Sequence, residues 1–476
     1  MCEASGFCSF PDASCASGRR YGQHAGAGLV DECVVPSGGS SSTTTGMPTS
    51  GSSTSGLAES GSSEDSSGAA AESSTGDLPP EPLQACEPLG PAQGVVLEAG
   101  PDDVASLPDM IAAAEAGTTI VLAPGTYDLG GTLYLGEPGL VLRSSTGNPD
   151  DVVLDGTAVE QAVVAMAASN QTVAELTIRG SGTHQIHVTS GVAGSPITGP
   201  RIHRVHFIDP QLSAVRANYD AVTVDEGEVS CSHIEVTQER RAAMDCNTAS
   251  GIRGYSTAGW TVRDNRIDGL WCETGLAPPA IGFQESAYDT AVLRNTIRNC
   301  TIGIRFGLEE DGMDVRDIPD PGCTDGYYGH HRGVVRNNMI AATDAAMATS
   351  EYGFFSGVLM WQVCETEVSH NTVFSSIGET SSIEYRFDRT IAAFYNNLVS
   401  GELRVRDDAA APVLGNVESV AASVFVSPLE GDLHLVAGAS VIDQGANLGP
   451  ASAEVDIDGD PREGPVDVGA DEFVGR

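Results

Sequence analysis

Residues 292–300 read VLRNTIRNC, with Asn295 set between two core-type apolar residues, Val292 and Ile297. The six-place pattern, apolar first, asparagine fourth and apolar sixth, recurs as VRDNRI from Val262, VRNNMI from Val335, VSHNTV from Val368 and FYNNLV from Phe394. Without the asparagine it extends back to VAELTI from Val173, IHRVHF from Ile202 and CSHIEV from Cys231. Marked at the fourth place, the series is Leu176, Val205, Ile234, Asn265, Asn295, Asn338, Asn371 and Asn397, at intervals of 29, 29, 31, 30, 43, 33 and 26 residues. A period of about 30 residues belongs to several solenoids. Helical ones are disfavoured, because each unit consists of short runs rich in Val, Ile and Thr, broken by Gly and Asn, with no long stretch of helical periodicity. Three short strands per turn remain, an all-β parallel β-helix. Equivalent positions of successive coils then stack about 4.8 Å apart, so that asparagine amides can hydrogen-bond along the stack as a ladder. Asparagine also tolerates the left-handed conformation a tight bend needs, which makes these five residues architecture.

On this repeat the span 86–430 resembles the right-handed parallel β-helix (pectate-lyase-like) superfamily, and the handedness is what that resemblance implies. PDDVASLPDMIAAAEAG, ending at Gly117, reads as a short amphipathic helix ahead of the β-rich TTIVLAPGTYDL. It is similar to the helix that caps the first coil in that superfamily, where it covers an aggregation-prone edge. GDLHLVAGASVIDQGA, within residues 431–476, is expected to close the final coils and cap the other end.

The 476 residues carry a formal net charge of −41, which argues against a nucleic-acid partner and for solubility. All 24 basic residues are arginine, so no lysine base or Schiff base is available. Of eleven cysteines, Cys2, Cys8, Cys15 and Cys33 crowd residues 1–35, a stretch too short to fold without staples. Disulfides and an oxidising compartment follow, and the odd total leaves at least one thiol unpaired within the chain. Through CSFPD and GRRY this module resembles the Cys-rich segment at the N-terminus of many secreted myxobacterial proteins, which implies a secreted or surface address. Residues 36–85, rich in Ser, Thr and Gly, form a flexible linker that cannot offset chain entropy by burial. No apolar run is long enough for a transmembrane helix and no signal peptide is evident, so the disulfides imply a leader trimmed from the sequence or lying upstream of Met1; a monomer is expected.

With the asparagines aligned, an earlier strand of each coil also aligns, at Ile252, Ile281, Val358 and Ile383, with QIHVT, GIRFG and ELRVR fitting between and around them. Strand alternation sends His187, Arg253, Gly282, Arg305, Leu359, Glu384 and Arg404 outward, followed two places on by Thr189, Tyr255, Gln284, Gly307, Trp361, Arg386 and Arg406. Five arginines beside a Tyr and a Trp suit an acidic glycan, since guanidinium forks take carboxylates and ring faces take sugars. An ordinary solvated strand exterior is the competing interpretation. The long interval holds an insertion, residues 309–333, with His330 and His331 as candidate bases on a loop.

Relatives in the resembled superfamily include lyases, hydrolases, C5-epimerases and silent adhesins. Elimination beside a uronate needs a cation to neutralise the carboxylate and a base for the C5 proton. The absence of lysine leaves the variants that use an arginine base with calcium, or a His/Tyr pair. Hydrolysis needs two carboxylates, and only Glu384, with Glu285 at the margin, lies on the stripe. The expected function is binding of an anionic polysaccharide, extended to eliminative cleavage if catalytic; the alternative is a non-catalytic adhesin or rod. Arg305, Arg386, Glu384, His330 and His331 are the catalytic candidates, and Arg253, Tyr255, Gln284, Trp361 and Arg404 the substrate-binding ones. In DIDGDPREGPVD, Asp456, Asp458 and Asp460 alternate as calcium ligands do, although Asp467 stands where an EF-hand loop has Glu. A calcium site and a hydrogen-bonded cap both fit that segment.

Overall fold

The computed structural model describes residues 86–475 apart from 190–194, 219–222, 245, 247–248, 309–315, 325 and 449–454, together with two short antiparallel strands, Ser9–Pro11 and Arg19–Tyr21. The N-terminal cysteines and the Ser/Thr/Gly-rich linker lie outside the described residues. From residue 86 the chain winds through three long parallel sheets of twelve, ten and ten strands. One coil shows the course. Thr261–Arg263 belongs to the first sheet, Arg266–Asp268 to the second and Ile281–Gln284 to the third, and Ala291–Leu293 then returns to pair with Thr261–Arg263. The protein is a parallel β-helix.

Alternation within each short strand sends its central residue inward, and the rungs stack those residues into columns. Val229, Val262, Val292, Val335 and Val368 line the first sheet, and Phe207, Ile234, Ile267, Ile297 and Ile340 the second, all at 0–1% exposure. Each such side chain contributes about 1.5–3 kcal/mol by leaving water, and none can do so without the coils on either side.

The asparagine ladder is present and runs one rung further than the repeat indicates. Nδ2 of Asn265, Asn295, Asn338, Asn371 and Asn397 each donates to Oδ1 of the next, ending at Asn416, over 2.8–3.0 Å. Two expectations change in detail. The left-handed residue is the one before each ladder asparagine, as at Asp264 (φ 56°), Arg294 (φ 51°), Asn337 (φ 56°), His370 (φ 51°) and Asn396 (φ 51°). That twist aims the following side chain along the stack, where its hydrogen bonds offset a strain of about 1–2 kcal/mol. The register at Cys231 also slips by two residues. Val229 pairs with Val262, so Ser232 holds the ladder place and Cys231 (φ 53°) the left-handed one. A two-residue slip keeps every strand residue on its own face, and the apolar Ile234 and Val236 satisfy either register.

The capping helix is shorter than its periodicity suggests, spanning Leu107–Ala112 after a single turn at Pro101–Asp103. Leu107 and Ile111 are buried from it, against the strand Leu133–Leu135. At the other end, the segment after residue 417 does not add coils. Its strands Phe425–Ser427 and Asp432–Leu435 pair antiparallel with each other. Val424, Leu433, Leu435, Val441 and Val468 pack on Met339, Ala341 and Phe374, the outward residues of the second sheet. Three disulfides fasten the body, Cys86–Cys231, Cys246–Cys272 and Cys323–Cys364, and Cys300 is a buried free thiol.

Candidate functional site

The third sheet pairs Ile186, Val215, Ile252, Ile281, Ile304, Val358, Ile383 and Leu403 rung to rung. Its outward residues are therefore the expected ones, with one rung added: the strand Ser213–Ala217 contributes Arg216 between His187 and Arg253. The extra rung is hidden in the sequence because Val215 stands 17 residues before its ladder place, Ser232, whereas Ile252 and Ile281 stand 13 and 14 before Asn265 and Asn295.

The outward residues fall into two clusters. In the first, Arg305 is only 7% exposed and its Nη2 donates to Gln284 Oε1 at 3.1 Å. The guanidiniums of Arg216 and Arg253 lie 3.7 and 4.7 Å from the ring centroid of Tyr255. Arg216 Nε donates to the Asn218 carbonyl and Asn218 Nδ2 to the Tyr255 carbonyl, tying the two rungs together. Burial, followed by the neighbouring Arg253 charge, pushes the Arg305 pKa down to about 10. Burial likewise lowers Arg253. His184, buried beside His187, Arg216 and Arg253, falls to about 3 and is neutral. Among the described residues neither Arg253 nor Arg305 has a carboxylate within ion-pairing distance, and the Nε of each is buried without a hydrogen-bond partner. A buried guanidinium with no ion-pair partner, as at Arg305, is costly unless an anion from outside completes it.

The second cluster centres on Glu384, which is fully buried. Its Oε1 accepts from Trp361 Nε1 at 3.0 Å, while Arg404 and Arg406 stand 3.8 and 3.5 Å from Oε2. Arg386 pairs with Asp407 and lies over Trp361 and Phe387. Glu384 and Arg386 thus share Trp361, while Arg305 has a separate partner and the buried Leu359 occupies the rung between Arg305 and Glu384.

His330 and His331 are not on a loop surface. They form a short strand between Ala287–Tyr288 and Val363–Cys364, and both are buried. The His330 ring stacks on the inward Phe306 at 4.1 Å, and burial holds its pKa well below the usual histidine value. His331 Nδ1 bonds the Pro321 carbonyl at 3.0 Å. The insertion is instead fastened beside the stripe by Arg316, which binds both oxygens of Asp225 and the carbonyl of Ser256, the residue after Tyr255.

At the C-terminus, Asp456, Asp458 and Asp460 bring carboxylate oxygens within 4.8 Å of one another. Asp456 is buried, and its two oxygens accept from the backbone N–H of Asp458, Asp460 and Glu472. Asp458 faces His434 Nε2 at 3.3 Å. Asp467 accepts from Asp443 N–H and Phe473 N–H. Hydrogen bonds of a cap are therefore present on Asp456, and the same three carboxylates are close enough together to hold a cation. A cavity of about 780 Å³ lies away from the stripe, between the second sheet and the C-terminal segment, lined by His233, Arg294, Arg298, Asp432 and His434 among others. It is open and mixed in charge, so the chemistry of the third-sheet exterior, not cavity size, marks the candidate site.

No protein-family model and no curated protein matches the chain. Among solved structures it is similar to an alginate lyase from Paenibacillus sp. strain FPU-7, at 14% identity and a TM-score of 0.43, covering 67% of this chain and 99% of that one. It is also similar to the pectate lyase Pel9A, at 15% identity and a TM-score of 0.45, covering 80% and 97%. A third is the A-module of the Azotobacter vinelandii mannuronan C-5 epimerase AlgE6, at 12% identity and a TM-score of 0.38, covering 70% and 98%. At these scores the likenesses carry no argument about activity. The parallel β-helix stands on the chain's own three sheets.

Proposed function

We propose that the exterior of the third sheet binds an acidic polysaccharide, with uronate carboxylates seated on Arg253 and Arg305 and flanked by Arg216. The observation that carries this reading is that Arg305, which is buried, and Arg253, which is partly buried, each have an unpartnered Nε and no carboxylate within ion-pairing distance among the described residues. Tyr255 faces guanidiniums, so its part is to hold the forks in place rather than to stack on a sugar. Gln284 fixes one edge of Arg305 and leaves the rest to the ligand. Three disulfides support an oxidising setting, hence a secreted or surface protein. Among the described residues no helix is long and apolar enough to cross a membrane.

Eliminative cleavage is the catalytic extension. The neutral fraction of Arg305, its pKa lowered to about 10, would take the C5 proton while Arg253 neutralises the carboxylate, the C4–C5 double bond forms as the C4–O bond breaks, and water protonates the departing oxygen. The non-catalytic adhesin is the second reading, favoured by the separation of Arg305 from Glu384 and Arg386 by the Leu359 rung. The test offers pectate, alginate and glycosaminoglycans to the purified chain, with and without calcium, following binding by calorimetry and unsaturated uronate by ultraviolet absorbance. Binding that disappears in Arg305→Ala and Arg253→Ala supports the site, and product formation on top of it supports a lyase. Equal binding by wild type and both variants, or none to any polyanion, would sink it.

A further inference from the structure

The second sheet carries a histidine pair that the glycan reading leaves unused. His206 and His233 are register partners on the adjacent strands His206–Ile208 and His233–Glu235, and their inward neighbours Phe207 and Ile234 are fully buried. Both imidazoles therefore project outward, and they stack with centroids 4.7 Å apart and planes 11° from parallel. Glu235, two residues after His233, shares that outer face and places Oε2 at 3.5 Å from His206 Nε2. That is too long for a hydrogen bond, and His206 Nε2 is buried without any partner. On the next rung Asp268 stands 2.8 Å from His233 Nε2. Arg266 also binds Asp268, so that carboxylate is already partly neutralised.

We propose that His206, His233 and Glu235 form a binding site for a divalent transition ion of the zinc class. One donor atom from each already lies within 4.8 Å of the other two. Metal bonds of about 2.0–2.1 Å put tetrahedral ligands about 3.4 Å apart. The His206–Glu235 separation meets that spacing, and His233, with 32% of its side chain exposed, has room to close the remainder. Two imidazoles with one carboxylate select zinc, nickel or copper over calcium or magnesium, which take oxygen. Asp268 is the positioning residue, orienting the His233 ring as a carboxylate behind a ligating histidine does. A cavity of about 420 Å³ opens beside the cluster, lined by His233, Glu235, Thr237, Arg241, Asp268 and Asn299. It leaves a fourth coordination position accessible to water or to an anionic ligand that Arg241 would face.

The experiment is a calorimetric titration of the full chain, freed of metal by chelator dialysis, with Zn²⁺. The wild type should bind in the micromolar range or tighter. His206→Ala, His233→Ala and Glu235→Gln should each weaken that binding more than the roughly 10- to 100-fold expected for Asp268→Asn, and His434→Gln should leave it unchanged. In parallel, Zn²⁺ should protect His206 and His233 of the wild type from acylation by diethylpyrocarbonate, mapped by mass spectrometry, which needs no variant to fold. Absence of tight Zn²⁺ binding, unaltered binding in the two histidine variants, or protection only at other histidines would each overturn the site.

Discussion

Replacing Asn338 by alanine should be among the most damaging single changes on the ladder. Its side chain is fully buried and makes five hydrogen bonds. Oδ1 accepts from the Asn295 backbone N–H and from Asn295 Nδ2, and Nδ2 donates to the Val292 and Arg336 carbonyls and to Asn371 Oδ1. Asn295 Nδ2 keeps its bond to the Val262 carbonyl, and Asn371 Oδ1 keeps the Asn338 N–H. The Asn295 N–H is left orphaned and the Val292 carbonyl loses this donor, in an interior closed to water. At about 1 kcal/mol for each of the five bonds lost, the orphaned donor included, the variant should lose roughly 5 kcal/mol. Asn416→Ala, at the half-buried end of the ladder, removes three bonds, those from the Asn397 backbone N–H and Nδ2 and the one to the Phe394 carbonyl, and should cost about 3 kcal/mol. Asn338→Ser should fall between, because Ser232 already fills a ladder place with a hydroxyl that accepts from Val205 N–H. Urea denaturation followed by far-ultraviolet circular dichroism measures all three. A loss below 1 kcal/mol for Asn338→Ala, or equal losses at Asn338 and Asn416, would refute the ladder as a cooperative element.

Trp361→Phe keeps the ring but leaves the buried Glu384 without its 3.0 Å donor, and should cost about 1.5–3 kcal/mol in the same assay; a neutral result would mean that Arg404 and Arg406 close in to satisfy the carboxylate. His434 is raised to about 9, chiefly by Asp458 and then by Asp432. Its contribution is complete below an unfolded value of about 6.5 and is lost as pH rises through 9, so the melting temperature should decline over that window and His434→Gln should flatten the decline. Cys86–Cys231 closes a loop of 145 residues, worth up to about 5 kcal/mol by chain entropy. The Cys86→Ser/Cys231→Ser double variant should therefore melt well below wild type, whereas an unchanged melting temperature would show the segment after Cys86 held by other contacts.

The apolar and asparagine places from Val262 to Val399 were legible in sequence because they obey a local rule. A residue that must face the interior on every coil leaves a periodic trace, and so does a side chain that must bond its own equivalent. The third-sheet stripe was legible for the same reason, since alternation carries an inward Ile252 or Ile304 to an outward Arg253 or Arg305. The trace fails where coil length changes. The longer connection from Ser213–Ala217 to Glu228–Ser230 hides the Arg216 rung, and the two-residue slip at Cys231 leaves each residue on its proper face and so goes unmarked.

The repeat by itself determined the β-helix, its ladder and which arginines point outward. The tertiary structure alone decided who meets whom across the coils: Arg216 and Arg253 on Tyr255, Cys86 on Cys231, His206 on His233, His330 against Phe306, and the C-terminal segment on the outside of the second sheet. Period and alternation specify the face a side chain takes on its own rung. Contacts between rungs depend on the length and path of the loops between them, and those are set by packing over distances that no local pattern encodes.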